Sequence, residues 1–159
     1  MRQSLSMLLP KDRTIPKIAT KLESDLWKVM KLALAKSPRH WKTTRIETWA
    51  MPGVPDVLAC DEKGQFHFIE LKATKGNAVD LRPHQVAWLS NYGYASVWVL
   101  VRKAATKTQP QKIYLYHGSS AMDLKMEGLS VEPIYYAEGG FDWEAIFDLI
   151  SPIQYDKIV

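Results

Sequence analysis

The chain has a single cysteine, Cys60, in 159 residues. A lone thiol closes no internal disulfide, and it excludes a zinc site built from several cysteines; Cys60 reads as a small buried residue. No apolar run approaches the roughly 20 residues of a bilayer-spanning helix, so no membrane partner is expected. The opening stretch MRQSLSMLLPKDR holds too short an apolar run for a secretory signal, and no small-residue cleavage site follows it. The expected compartment is the cytoplasm. Internal repeats, low-complexity tracts and interdomain linkers are also missing. With 47% apolar and 24% charged residues, the composition excludes a disordered chain, a collagen-like fibre and a coiled-coil rod. One domain around one core is expected at this length.

Acidic residues are sparse at the front and basic ones at the back. Residues 1–50 carry 11 Lys/Arg against 4 Asp/Glu, residues 51–110 carry 7 against 5, and residues 111–159 carry 3 against 8. A basic front attracts phosphate polymers, because each neutralised phosphate releases condensed counterions. A merely solvated charged face would look the same, so charge alone does not decide.

Periodicity predicts a first helix over residues 16–35, with Ile18, Leu22, Leu26, Val29 and Ala33 on its apolar face and Ser37-Pro38 ending it. Residues 44–50 and 54–60 read as strands separated by the turn Met51-Pro52-Gly53. Asp61-Glu62-Lys63-Gly64 reads as a hairpin turn into a strand over 65–73 that is apolar on both faces. Arg82-Pro83 opens a helix that Gly93 closes. Strands at 96–101 and 112–116, a short helix at 120–128, a strand at 131–137 and a helix at 141–150 follow. The order α-β-β-β-α-β predicts an α/β fold with a mixed sheet covered by helices.

The chemically informative residues are Gly53-Val54-Pro55-Asp56 and, further on, Glu70-Leu71-Lys72. A turn centred between Glu62 and Lys63 sets Asp56 opposite Ile69, and a bulge in the turn sets it directly opposite Glu70. Either way, two carboxylates reach the same end of one hairpin, and Lys72 shares a strand face with Glu70. Carboxylates crowded into a partly dry site repel each other. A divalent cation removes that conflict, and Mg²⁺ prefers such oxygen ligands, completed by water and phosphate. Lys72 would then orient a nucleophile and stabilise the transition state of phosphodiester hydrolysis. Taken singly, Pro-Asp is an ordinary turn dipeptide and Glu-x-Lys an ordinary surface ion pair; the combination at hairpin spacing is what carries meaning.

Gly53-Val54-Pro55-Asp56, Phe68-Ile69-Glu70-Leu71-Lys72 and Leu81-Arg82-Pro83-His84-Gln85-Val86-Ala87-Trp88 resemble the PD-(D/E)XK nuclease superfamily. Within it the chain is most similar to the phage-type virus-type replication-repair nuclease (VRR-NUC) branch, with Holliday junction resolvases as relatives. The resemblance spans about residues 16–103. It implies a single-domain restriction-endonuclease-like core over residues 16–116, an N-terminal extension over 1–15, and an acidic C-terminal extension over 117–159 packed on the same domain. It implies a Mg²⁺- or Mn²⁺-dependent DNA endonuclease, in the host cytoplasm if phage-encoded. Asp56, Glu70 and the Leu71 carbonyl would be metal ligands, Lys72 the catalytic lysine, and Gln85 the glutamine beside the site. Branched or four-way DNA cut by a homodimer is the implied substrate. A non-specific or nicking duplex nuclease, and a non-catalytic DNA-binding module, carry the same fold.

The family also places a glutamate on the first helix, at the metal directly or through water. Glu23 matches best, although Thr20-Lys21-Leu22-Glu23 also has a capping-box pattern; Glu47 is the second candidate. Arg39, Lys42 and Arg45 form a basic run expected to contact the DNA backbone, with Lys75, Arg82, His84 and Arg102 as further phosphate contacts. Trp41 and Trp49 could stack on unpaired bases or fill the core. His40, His67 and His117 lack the spacing of a zinc set and read as structural or exposed.

Overall fold

A computed structural model describes residues 17–46 and 51–153. Its elements are α1 (Lys17–Lys36), β1 (Lys42–Arg45), β2 (Val57–Cys60), β3 (Phe66–Thr74), α2 (Pro83–Asn91), β4 (Val97–Lys103), β5 (Lys112–His117), α3 (Ala121–Glu127), β6 (Tyr135–Glu138) and α4 (Trp143–Ile150). The six strands form one sheet in chain order, antiparallel throughout except for the parallel pair β3 and β4. A parallel pair needs a crossover, and α2 supplies it. The protein is therefore mixed α/β, with four helices on a six-stranded mixed sheet.

Both faces of the sheet are covered, which is why β4 is apolar on both sides. On one face α1 and α4 bring Leu26, Met30, Leu34, Ile146, Phe147 and Ile150 against Ile69, Leu71, Trp98 and Leu100. On the other, α2 and α3 bring Val86, Leu89, Ala121 and Leu124 against Val97, Val99 and Val101. Residues 118–153 are thus part of the fold itself: they contribute β6 to the sheet and α4 to the core.

The strands expected at 54–60 and 131–137 are shorter, Val57–Cys60 and Tyr135–Glu138, and the first helix and first strand also shift. The stripe that α1 buries is Leu26, Met30 and Leu34, while Val29 is 41% exposed; the step of four residues follows the row along the helix that lies on the sheet. Leu22 and Glu23, four and three residues before Leu26, lie one turn further toward the N-terminus on that side of α1. Because α1 starts at Lys17, Glu23 lies inside it and does not cap its start. Strand β1 runs earlier and shorter than predicted, and residues 47–50, including Glu47 and Trp49, lie outside the described residues, as do residues 1–16.

The hairpin register has a local cause. Asp61 Oδ1 accepts the Lys63 and Gln65 N–H groups at 2.9 and 3.0 Å, and the Gly64 N–H donates to the Asp61 carbonyl at 3.0 Å. Gly64 sits at φ +80°, the left-handed residue that closes a three-residue hairpin loop with a bulge. The ladder then pairs Val57 with Ile69, so Asp56 comes level with Glu70, the bulged alternative.

Candidate functional site

Asp56 stands just ahead of β2, where the Ile46 N–H donates to its carbonyl at 2.7 Å. Its side-chain Oδ2 accepts the Leu71 N–H at 3.0 Å. That bond fixes the Asp56 carboxylate against β3 beside Glu70. Glu70 is 1% exposed and Lys72 7%, and the Lys72 ammonium lies 3.4 Å from Glu70 Oε1. Alternation along β3 sends Ile69 and Leu71 into the core with α1, and Glu70 and Lys72 to the opposite side, toward α2.

Helix α2 meets them with Gln85. Its Oε1 accepts the Arg82 N–H at 3.0 Å, closing the first turn, and its Nε2 donates to Glu70 Oε1 at 2.6 Å. One side chain therefore ends the helix and holds the carboxylate. Gly53 sets the distance between the two parts: at φ +95°, a Cβ on it would stand 2.3 Å from the His84 carbonyl oxygen. Only glycine lets the loop before Asp56 press onto the first turn of α2.

The other oxygen, Glu70 Oε2, is buried without a hydrogen-bond partner. Burial, reinforced by the Asp56 charge and opposed by Lys72, pushes the Glu70 carboxyl up to about 8. Asp56 is raised too, first by burial, with the Leu71 N–H, Lys72 and Arg45 pulling the other way. Glu23 is raised by burial and by the charges of Asp56 and Asp80, against Lys72 and Arg82. Four acids (Glu23, Asp56, Glu70 and Asp80) and three cations (Lys72, Arg45 and Arg82) therefore share one electrostatic neighbourhood, in which acid charge exceeds its compensation by one group. Among the described residues, no three His, Cys, Asp or Glu side chains converge closely enough to form a ready-made metal cage.

Asp56, Glu70, Lys72, Gln85 and Glu23 are thus brought together as the sequence reading expected. The basic candidates divide. Lys42, Lys75, Arg82 and His84 are exposed, and Arg45 is half-buried. Arg39, expected on the DNA-facing run, has a different role. It is 8% exposed, paired with Glu62 at 3.1 Å and Asp148 at 3.0 Å, and donates to Ser151 Oγ at 2.7 Å. Its guanidinium joins the hairpin turn to α4 and has no open side for a phosphate. Trp41 packs between His67 and Phe147 with Arg39 over its ring, so it fills the core.

Sequence reasoning missed the role of Asp61, read only as a turn residue. It is 4% exposed, and its Oδ2 meets His67 Nε2 at 2.9 Å and Ser151 Oγ at 2.6 Å. Burial alone would raise its pKa, but the hydrogen bonds from Ser151, His67, Gln65 and Lys63 hold it well below the usual carboxylate range. The available signal was His67 between Phe66 and Phe68 on β3, since a buried imidazole needs a partner. The chain matches no protein-family model and no curated protein.

Proposed function

We propose that this chain is a Mg²⁺- or Mn²⁺-dependent DNA endonuclease that hydrolyses phosphodiester bonds. The observation that carries the reading is the buried, unpartnered Glu70 Oε2 in a neighbourhood of excess acid charge. A buried acceptor without a donor costs roughly 1–3 kcal/mol, and a cation is the partner that satisfies it and also relieves Asp56 and Glu23. The donor set is all oxygen, which suits Mg²⁺ and Mn²⁺ rather than softer metals. Asp56, Glu70 and the Leu71 carbonyl would hold the ion, with Glu23 assisting, directly or through water. When bound, such an ion supplies a more acidic water and screens charge on a phosphate under attack.

The chain's own residues do the rest. Asp56 is oriented by the Leu71 N–H and Glu70 by Gln85, so both carboxylates are held before any ligand arrives. Lys72, kept in place by Glu70, donates to the attacking oxygen and to the non-bridging oxygens as their charge grows. The fold is taken, by the same resemblance, as restriction-endonuclease-like, with branched DNA and a homodimer as the preferred substrate and assembly.

Calorimetric titration of Mn²⁺ tests the centre directly. The parent is expected to show a site that Asp56→Asn abolishes; equal binding by the variant would remove Asp56 from the centre. Lys72→Ala is expected to keep DNA affinity and lose cutting, whereas an equal loss of both would make Lys72 a phosphate anchor. Tight DNA binding with no cutting under any metal would favour the non-catalytic binding module.

A further inference from the structure

The β4–β5 hairpin stands at the same end of the sheet as the acidic cluster. Lys72 pairs in register with Val101 and Thr74 with Lys103, while Lys103 pairs with Lys112 across the hairpin. Beyond that level the chain makes a tight turn. The Thr106 N–H donates to the Gln109 carbonyl at 2.9 Å, and Thr106 Oγ1 accepts the Gln109 N–H at 3.0 Å. Lys107 and Thr108 form the tip. Val101 is level with Lys72 and β4 runs on to Lys103, so the tip lies past Lys72 along the sheet. The hairpin is therefore outside the cutting centre but alongside it.

The charge here is of one sign. Residues 81–122 contain no Asp or Glu and five Lys/Arg: Arg82, Arg102, Lys103, Lys107 and Lys112. Lys112 meets Glu138 on β6 at 3.6 Å. Among the described residues, no carboxylate pairs with Lys75, Arg102, Lys103 or Lys107. Two of these cations are nevertheless held in place, and by neutral amides. Lys103 Nζ donates to Asn77 Oδ1 at 2.8 Å, and Arg102 Nε to Gln111 Oε1 at 3.1 Å. An amide oxygen fixes a cation's position without cancelling its charge. The buried Arg39, by contrast, is paired with the carboxylates of Glu62 and Asp148. Cations positioned and left uncompensated are what a chain of phosphodiesters requires.

We infer that the β4–β5 hairpin, through Lys103 and Lys107 with Lys75 beside them, is a second contact for the nucleic-acid backbone, seating the polymer next to the cutting centre; Lys103 alternates onto the sheet face of Glu70 and Lys72, and Arg102 onto the other. This rests on the nuclease reading above.

The test is binding of a fluorescent 30-base-pair duplex in EDTA, so that no cutting intervenes, over a series of salt concentrations. The variant Asn77→Asp keeps Lys103 in place but pairs it with a carboxylate; Gln111 is left alone, because its Nε2 also donates to the Gly139 carbonyl at 2.8 Å. The slope of log affinity against log salt is expected to fall by about 1, with affinity at 0.1 M salt lower by on the order of tenfold. A purely structural role for the Asn77 amide would leave DNA binding unmoved, because the new ion pair would hold Lys103 at least as well. Lys107→Glu at the exposed tip is expected to weaken binding similarly. If the parent binds duplex and both variants match its affinity and slope, the inference falls and the cutting centre is untouched. If the parent neither binds duplex in EDTA nor cuts it with Mg²⁺ or Mn²⁺, the nuclease reading falls and takes the inference with it. Strong binding to phosphatidylserine vesicles with none to duplex would assign the hairpin to a membrane surface and overturn the inference.

Discussion

Glu70 concentrates the conflict on which the proposed activity depends. The folded protein holds its carboxyl at about 8 through burial and the neighbouring Asp56 charge, whereas in the unfolded chain it titrates near 4.5. Between those two values the native state binds a proton that the unfolded state has lost. Stability without metal therefore falls as pH rises through that window and levels off above about pH 8. Glu70→Gln removes the titration. It is expected to flatten the slope and to raise stability at pH 8 by on the order of 2 kcal/mol, read from urea unfolding in EDTA. Divalent-cation binding must displace the same proton, so Mn²⁺ affinity is expected to rise from pH 6 to pH 8 with proton release. Calorimetry in buffers of different ionisation enthalpy measures it, and Glu70→Gln should abolish the release.

The hairpin carries two glycines with positive φ whose surroundings differ. At Gly53 a Cβ would stand 2.3 Å from the His84 carbonyl oxygen, whereas at Gly64 it would meet nothing within 4 Å. Gly64→Ala is expected to cost about 1 kcal/mol for its backbone alone. Gly53→Ala is expected to cost more, on the order of 2–3 kcal/mol, and to lower cutting as well, because it pushes the Asp56 loop away from the helix that carries Gln85. Urea unfolding and cleavage rates measure the two effects. The contrast also marks what could be read in advance. The order of elements, the hairpin and the pairing of Asp56 with Glu70 and Lys72 were legible, because periodicity, turn chemistry and alternation are local. The stripe on α1 was misjudged at Val29, because two nearby rows of apolar residues compete and the sheet chooses between them. Arg39 was misassigned for the same reason: Asp148 and Ser151 lie more than a hundred residues away in sequence, and nothing near Arg39 announces them.

Across the molecule, the acidic cluster and the Asp61 network lie at opposite ends of one hairpin. Asp56 and Glu70 lie where β2 begins, while Asp61 in the turn is joined through His67, Ser151 and Arg39 to β3, α4 and the loop before β1. Asp61→Ala leaves buried donors without an acceptor and is expected to destabilise the protein by on the order of 3 kcal/mol, measured by urea unfolding. The proposed nucleic-acid contact has the opposite requirement, positioning charge without cancelling it, and it predicts a steep salt dependence of DNA binding. The most direct test of the whole account is cleavage of four-way junction, flap, single strand and linear duplex, with Mg²⁺, Mn²⁺ or EDTA, by the parent beside Asp56→Asn and Lys72→Ala. Cutting of at least one substrate by the parent, abolished by EDTA and reduced at least a hundredfold in both variants, is the expected result. Cutting that persists undiminished in both variants, or no cutting of any substrate despite tight DNA binding, would contradict it.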